Sequence, residues 1–356
     1  MNFDYNEEQQ LLADSVRRYL AKSYDFEARK KIVSGAGWST DTWAQFSQMG
    51  LTGLPVSAEH GGFGGGAVDL MGVMEAFGEA LVVEPYAPLA LAVRLLGRGG
   101  SAEQKSLLAG VVEGKAKLAF AHNEKGARFS LDAVKTRARK KGAAWVLDGD
   151  KAGIVGAPTA DRLIVSARDE QGIAIFLVDI GKVSLQAYRT MDERLAADVV
   201  LRETQAERIQ GGRKELEDAI DFGTALVCAE AVGVLKFACD TTLEYLKTRK
   251  QFGVPIGTFQ ALQHRMVDMF ISLEQARSMA CLACSRVDAG SDPRAISAAK
   301  IKIADAARHV SQEAVQLHGG MGMTEELKVS HAFRRLTVLA REFGDADHHL
   351  ARFAAL

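Results

Sequence analysis

Hydrophobic positions along this chain change their period twice. Up to about residue 116 they recur at steps of three and four. Leu12, Val16, Tyr19 and Leu20 fall along one face of a helix that the Asn6 side chain can cap. A glycine-rich break, GLTGLPVSAEHGGFGGG (50–66), precedes a second helical run from about Val68 to Ala80. SAEQKSLLAGVVEG (101–114) reads as a short helix stopped by Gly114. From about 117 to 213 the apolar runs shorten and alternate: LAFAHNE, AAWVLDG, RLIVSAR, GIAIFLVDI, VSLQAY and ADVVLRE. Turn residues such as Asp148-Gly149 separate them. No helical pattern lies between these strands, so an antiparallel sheet or small barrel is expected rather than a parallel doubly wound one.

Beyond residue 214 the helical period returns. One helix is predicted near 214–248 and a second near 258–289. A third starts at Ser291 or Asp292, with Pro293 in its first turn. In it Ile296, Ala299, Ile303, Ala306, Val310, Ala314 and Leu317 form a stripe that predicts buried helix–helix packing. The expected class is therefore α+β: an N-terminal helical domain (1–116), a central antiparallel β domain (117–213) and a C-terminal helical bundle (214–356).

Composition narrows the picture by exclusion. A net charge of −1 lacks the basic field that nucleic-acid binding needs. No run of 18 or more apolar residues appears, so no membrane span is expected. The N-terminal stretch lacks the basic-then-apolar order of a secretory signal. Cys228, Cys239, Cys281 and Cys284 all lie in helical patterns. Cys281 and Cys284 form a C-x-x-C, but no second Cys/His pair stands at zinc spacing, so buried core thiols and no metal are expected. A reducing cytoplasm fits these thiols. The basic run Lys135, Arg137, Arg139, Lys140, Lys141 reads as a solvated hairpin, with contact to an anionic ligand as the alternative.

No Walker loop, zinc signature or G-x-S-x-G elbow is present, and GGFGGG (61–66) follows no strand of a βαβ unit. The specific signal lies in separated segments taken in order. GLTGLPVSAEHGGFGG (50–65), YLKTRKQFGVPIGTFQALQHRMVDM (245–269) and EAVQLHGGMGMTEE (313–326) together resemble the acyl-CoA dehydrogenase family over essentially the whole chain. The resemblance implies an FAD enzyme that oxidises an acyl-CoA between Cα and Cβ, with an electron-transfer flavoprotein as acceptor. In that family the flavin lies between subunits, and the second and third segments reach a partner's FAD. It implies cofactor contacts from Arg249, Gln251, Phe252, Ile256, Phe259, Gln260, Gln316, Leu317, Gly319 and Gly320. The chemistry suits that job: Arg249 offers a fork of donors for a diphosphate, and the glycines admit close backbone approach. Arg249 at a helix end and glycines that stop a helix are the plain structural alternatives.

The chain departs from the family in three places. At the first strand, Phe120, His122 and Asn123 stand in the Tyr-x-x-Thr-Glu-Pro segment, with Asn123 at the flavin-holding Thr and Glu124 kept. In KAGIVG (151–156), Gly153 and Val155 replace the Trp and Thr that flank the flavin. The catalytic base, a carboxylate that takes the α proton, has two usual positions in the family. Phe343 and Gly223 occupy them here, and Thr224 replaces the Arg after the second. Glu342, Asp345 and Asp347 are the carboxylates near the first position, with Asp345 and Glu342 as the candidate bases. Glu342 is one residue away, about 100° around a helix. A capping role for Asp345 or Asp347, with His348 and His349 exposed, is the structural alternative.

FGDADHHLARF and KAGIVGAPTADRLIVSAR further resemble the small-subunit class typified by the pimeloyl-CoA dehydrogenase small subunit. That implies a homologous large subunit that supplies the base. Two alternatives stay open: a homo-oligomer using Asp345 or Glu342, and a non-catalytic scaffold of the same fold.

Overall fold

The computed structural model describes residues 5–142 and 144–356. Its helices are α1 (Glu7–Ser23), α2 (Phe26–Ser34), α3 (Thr40–Gln48), α4 (Ala67–Ala80), α5 (Tyr86–Gly99), α6 (Ala102–Lys105), α7 (Leu107–Val112), α8 (Arg213–Thr248), α9 (Gln260–Asp288), α10 (Pro293–His318), α11 (Lys328–Leu339) and α12 (Ala346–Ala355). Between α7 and α8 run β1 (Leu118–Ala121), β2 (Arg137–Lys141), β3 (Ala144–Val155), β4 (Arg162–Asp169), β5 (Gly172–Asp179), β6 (Ser184–Arg189) and β7 (Leu195–Ile209). A short pair, β8 (Lys250–Gln251) and β9 (Val254–Pro255), follows α8. The order is helices, strands, helices, as the change of period predicts.

In space the chain divides into two units, each assembled from separate stretches. One comprises Met1–Lys31, Ala67–Val82 and Thr224–Leu356; the other comprises Ile32–Gly66 and Val83–Gly223. In the first, α10 packs against α9, α11 and α12, and α4 against α1 and α9. All seven residues of the predicted α10 stripe are buried. Each fully buried Ile or Val contributes about 1.5–3 kcal/mol to that packing. Asn6 caps α1 in a reciprocal bond with Gln9, and Asp292 caps α10. All four cysteines are free and buried, as expected of core thiols. The helix α8 carries a stretch long and apolar enough to cross a membrane, but 89% of it is buried, which is the pattern of a core helix.

The strands of the second unit close on themselves. The order β4-β2-β3-β7-β5 returns to β4, while β1 adds to β4 and β6 to β7. Alternate residues of these strands, among them Leu147, Ile154, Leu163, Val165, Phe176 and Val199, fill the interior. Two expectations need correction. The sheet is not wholly antiparallel, because β1 runs parallel to β4 from Leu118↔Arg162 to Ala121↔Val165, and β2 meets β4 in a parallel pair. Nor is Asp148-Gly149 a turn. It lies inside the 12-residue strand β3, where the register against β7 shifts between Leu147 and Gly149. A Gly with φ of 155° is extended enough to stay in a strand while it accommodates the irregularity.

Candidate functional site

In the second unit, β1 and β3 bring five of the expected cofactor residues together. Phe120 and His122 alternate on one side of β1 and its exit, with near-parallel rings 6.0 Å apart. The carbonyl of Asn123 accepts the Ala152 amide at 2.9 Å, which ties the end of β1 to β3 beside Gly153. The Asn123 side chain is exposed. A second register shift, between Lys151 and Ile154, makes a bulge at Ala152-Gly153. Gly153 takes φ of 69° there, a conformation that a tryptophan would adopt only under strain. Its amide donates to Asp198 Oδ1 at 2.9 Å, and Val155 follows, half-buried, in the same strand.

Beneath this surface lies a buried ionic network that the sequence reading missed. Lys151 Nζ, fully buried, donates to Glu124 Oε1 (2.7 Å), Ser166 Oγ (3.1 Å) and the His122 carbonyl (3.2 Å). Glu124 also accepts from the amides of Lys135 and Thr136 and from the Thr136 hydroxyl. Burial works to raise the Glu124 carboxyl. The Lys151 charge and these hydrogen bonds outweigh it and hold the group below its ordinary value. Burial lowers the Lys151 ammonium to about 8, against the pull of Glu124. Ser166 Oγ, which accepts from Lys151, also shares a hydrogen bond of 2.9 Å with His122 Nδ1. His122 is buried and lowered to about 4, by burial and then by the Lys151 charge.

The remaining expected cofactor residues gather in the first unit. Arg249 follows the last turn of α8, exposed, and no side chain among the described residues pairs with its guanidinium. The chain then folds into the β8–β9 hairpin, with Phe252 (φ 56°) and Gly253 (φ 84°) at its tip. Two positive φ angles define the tight turn that suits strand twist. Phenylalanine there is strained, and its ring is 91% exposed. Phe259 meets it edge-on at 6.1 Å, and Ile256 packs on the helical core. Gln251 and Gln260 are exposed.

The end of α10 lies beside this hairpin, because Tyr245 near the end of α8 stacks on His318 at 4.4 Å. Gln316 is exposed, while Leu317 is buried in the core. Gly319, with φ of 62°, ends α10, so its helix-stopping role is real. A β-carbon on Gly319 or Gly320 would meet nothing within 4 Å, leaving an open backbone surface. An unpaired cationic fork, amide side chains, exposed aromatic rings and open glycine backbone form a donor set that fits a dinucleotide.

The positions around the usual bases look different. Phe343 packs against the helical core. It takes φ of 60° in a turn held by His349, whose Nε2–H donates to the Phe343 carbonyl at 3.1 Å. Asp345 Oδ1 accepts the His348 amide at 2.9 Å and caps α12. Glu342 accepts from Arg335 at 3.3 Å. Arg335 in turn grips buried Glu230 through two bonds of 2.7 Å. Gly223 and Thr224 are buried within α8. The expectation of exposed histidines fails: His348 is half-buried and His349 is 1% exposed, because the packing of α12 on α10 carries them inward. The basic strand β2 is solvated and partnered: Arg139 and Lys141 pair with Glu203, and Lys140 lies over Trp145.

Comparison with known proteins agrees with this architecture. The acyl-CoA dehydrogenase N-terminal domain matches residues 6–115, and the acyl-CoA dehydrogenase C-terminal domain matches residues 210–355. The chain belongs to the acyl-CoA dehydrogenase family. It is 31% identical to an L-prolyl-[peptidyl-carrier protein] dehydrogenase of Serratia sp. (strain ATCC 39006), over 92% of this chain and 90% of that protein. A chain of the ChsE4-ChsE5 complex from Mycobacterium tuberculosis superposes with a TM-score of 0.93 at 26% identity, covering 100% of this chain and 98% of that one. PigA, solved with FAD and proline, superposes with a TM-score of 0.89 at 27% identity, covering 100% and 98%.

Proposed function

We propose that this chain is an FAD-binding subunit of an acyl-CoA dehydrogenase, and that a homologous larger subunit supplies the catalytic base. One observation carries the division of labour. The two positions where the family places its carboxylate hold a core-packed phenylalanine and a buried glycine, Phe343 and Gly223. The nearby carboxylates already have work, Asp345 as a helix cap and Glu342 as a partner of Arg335. FAD is the cofactor that fits Arg249, the Phe252 hairpin and the open Gly319-Gly320 backbone. When bound, it accepts the β-hydride of the thioester. This chain's residues would hold FAD from two separate surfaces: Asn123 and the Ala152–Val155 strand toward a ring, and Arg249, as the resemblance implies, toward the diphosphate of a partner's FAD. Phe252, strained and 91% exposed, meets only the edge of Phe259 among the described rings, which favours a partner surface at the hairpin. An electron-transfer flavoprotein would reoxidise the flavin. Likeness to a chain of a two-protein complex and to a protein solved with FAD supports this reading.

The test is co-expression with a homologous large subunit, followed by chromatography of the flavin released on denaturation and a screen of acyl-CoAs. FAD in the assembly, bleached by an acyl-CoA, is the expected result. FMN, or no flavin in any assembly, refutes the reading.

A further inference from the structure

The bulge at Gly153 leaves the expected aromatic position without a side chain, and the neighbouring strands fill the gap from the other side. Asp198 Oδ1 accepts both the Gly153 amide at 2.9 Å and the Tyr188 hydroxyl at 2.8 Å. The Tyr188 oxygen stands 3.7 Å from the point where a β-carbon on Gly153 would lie. Register places the residues on one face. Val155 of β3 pairs with Ala196 of β7, which pairs with Tyr188 of β6. Residues in one row of adjacent strands project to the same side, and Asp198, two residues beyond Ala196, shares it. The opposite side carries Ile154, Ala197 and Val199 into the barrel interior. Tyr188 thus stands on the outer face beside Gly153 and Val155, 39% exposed, with its hydroxyl anchored.

We propose that Tyr188, positioned by Asp198, is the aromatic wall against the flavin ring in this chain. The wall comes from β6 because the bulge excludes it from β3. An exposed tyrosine whose hydroxyl shares an acceptor with the backbone of the bulge is oriented in a way that a solvated edge residue is not. Burying a large flat ring against another is the kind of contact an aromatic side chain favours. The proposal rests on the FAD reading above.

The test uses the FAD-loaded assembly and measures the emission and visible absorption of bound flavin, since a tyrosine phenol in contact quenches that emission by electron transfer and any ring in contact shifts the visible band. Tyr188→Leu and Tyr188→Ala remove the ring; Tyr188→Phe keeps it and removes only the hydroxyl. We expect a several-fold rise in emission per bound FAD in all three variants, because only the phenol gives an electron to excited flavin, with the visible band shifted in Leu and Ala and kept in Phe. Emission and absorption unchanged in Leu and Ala overturn the proposal. So does a Phe variant whose visible band moves as far as that of Ala, which would assign the effect to the Asp198 bond alone. If the wild-type assembly holds no FAD, the underlying reading fails and takes this one with it, a result visible before any variant is compared.

Discussion

At the scale of single residues, charge and burial give the sharpest expectations. Arg249 is exposed and unpaired, so it contributes little to folding, yet a charge-assisted bond to phosphate contributes about 1.5–3 kcal/mol. Arg249→Ala should therefore weaken FAD binding by roughly ten- to a hundredfold, while the thermal midpoint of the flavin-free protein stays put. Full flavin occupancy in the variant at limiting FAD would return Arg249 to the role of a solvated helix-end residue. Lys151 and Glu124 are the opposite case. Removing either leaves the other buried, and Glu124→Gln or Lys151→Met should cost about 3–5 kcal/mol. Denaturant midpoints check this, and a loss below about 1 kcal/mol would mean that water reaches the pair.

The same burial makes stability depend on pH. His122 is lowered to about 4, by burial and then Lys151; His349 is lowered to about 3, by burial and then Lys300. In the unfolded chain both titrate near about 6.5. Below that value the unfolded chain binds protons that the folded chain refuses. The stability they contribute is complete above about 6.5 and falls as pH drops toward about 4 and 3. Urea midpoints should climb between about pH 5 and 7, and His122→Asn or His349→Asn should flatten the climb. Equal slopes in wild type and variants would show that both histidines already titrate in the folded state.

At the scale of elements, much was legible and the failures have physical causes. The α10 stripe announces itself because one face of a helix must repeat at three and four, and Asn6 and Asp292 mark their starts because only such side chains satisfy the first amides. The strand β3 misled because its bulges place glycines in the middle of a strand, where they imitate turn signals. The parallel pairing of β1 with β4 is a property of topology and leaves no mark in either strand's pattern. Close helix approach is similarly silent in sequence. A β-carbon on Gly233 of α8 would stand 1.9 Å from the Glu75 carbonyl oxygen of α4, and one on Gly78 of α4 would stand 2.1 Å from the Glu230 carbonyl oxygen. Both obstacles are backbone, so neither can swing aside. Gly233→Ala should destabilise by about 1–3 kcal/mol or more, although alanine is the better helix former. A thermal midpoint raised by that substitution would show that the two helices separate easily. At the candidate site, the glycines, Arg249 and Lys151, which opens KAGIVG, are readable as motif members, whereas Tyr188, Asp198 and the buried Lys151–Glu124 bond are not. Their roles come from cross-strand register, which a linear pattern does not encode.

At the scale of the whole molecule, the question is where the α proton goes. Hydride loss from Cβ requires that proton to leave, and removing a positioned base costs a factor on the order of 10² to 10⁴. The isolated chain should therefore turn over acyl-CoA at that disadvantage or not at all, and a homologous large subunit should restore the rate. Asp345→Asn is the paired control. Its carboxylate caps α12, and asparagine caps about as well, so the substitution should leave both stability and the assembled activity nearly unchanged. Ordinary turnover by the isolated chain, abolished by Asp345→Asn, would make Asp345 the base and overturn the split site. Ordinary turnover that survives Asp345→Asn would turn attention to Glu342. That carboxylate shares Arg335 with Glu230, and Glu342→Gln would then have to silence the enzyme while leaving FAD bound. Silence of the isolated chain with bound FAD, and activity on adding the larger subunit, is the outcome that the phenylalanine at 343 and the glycine at 223 lead us to expect.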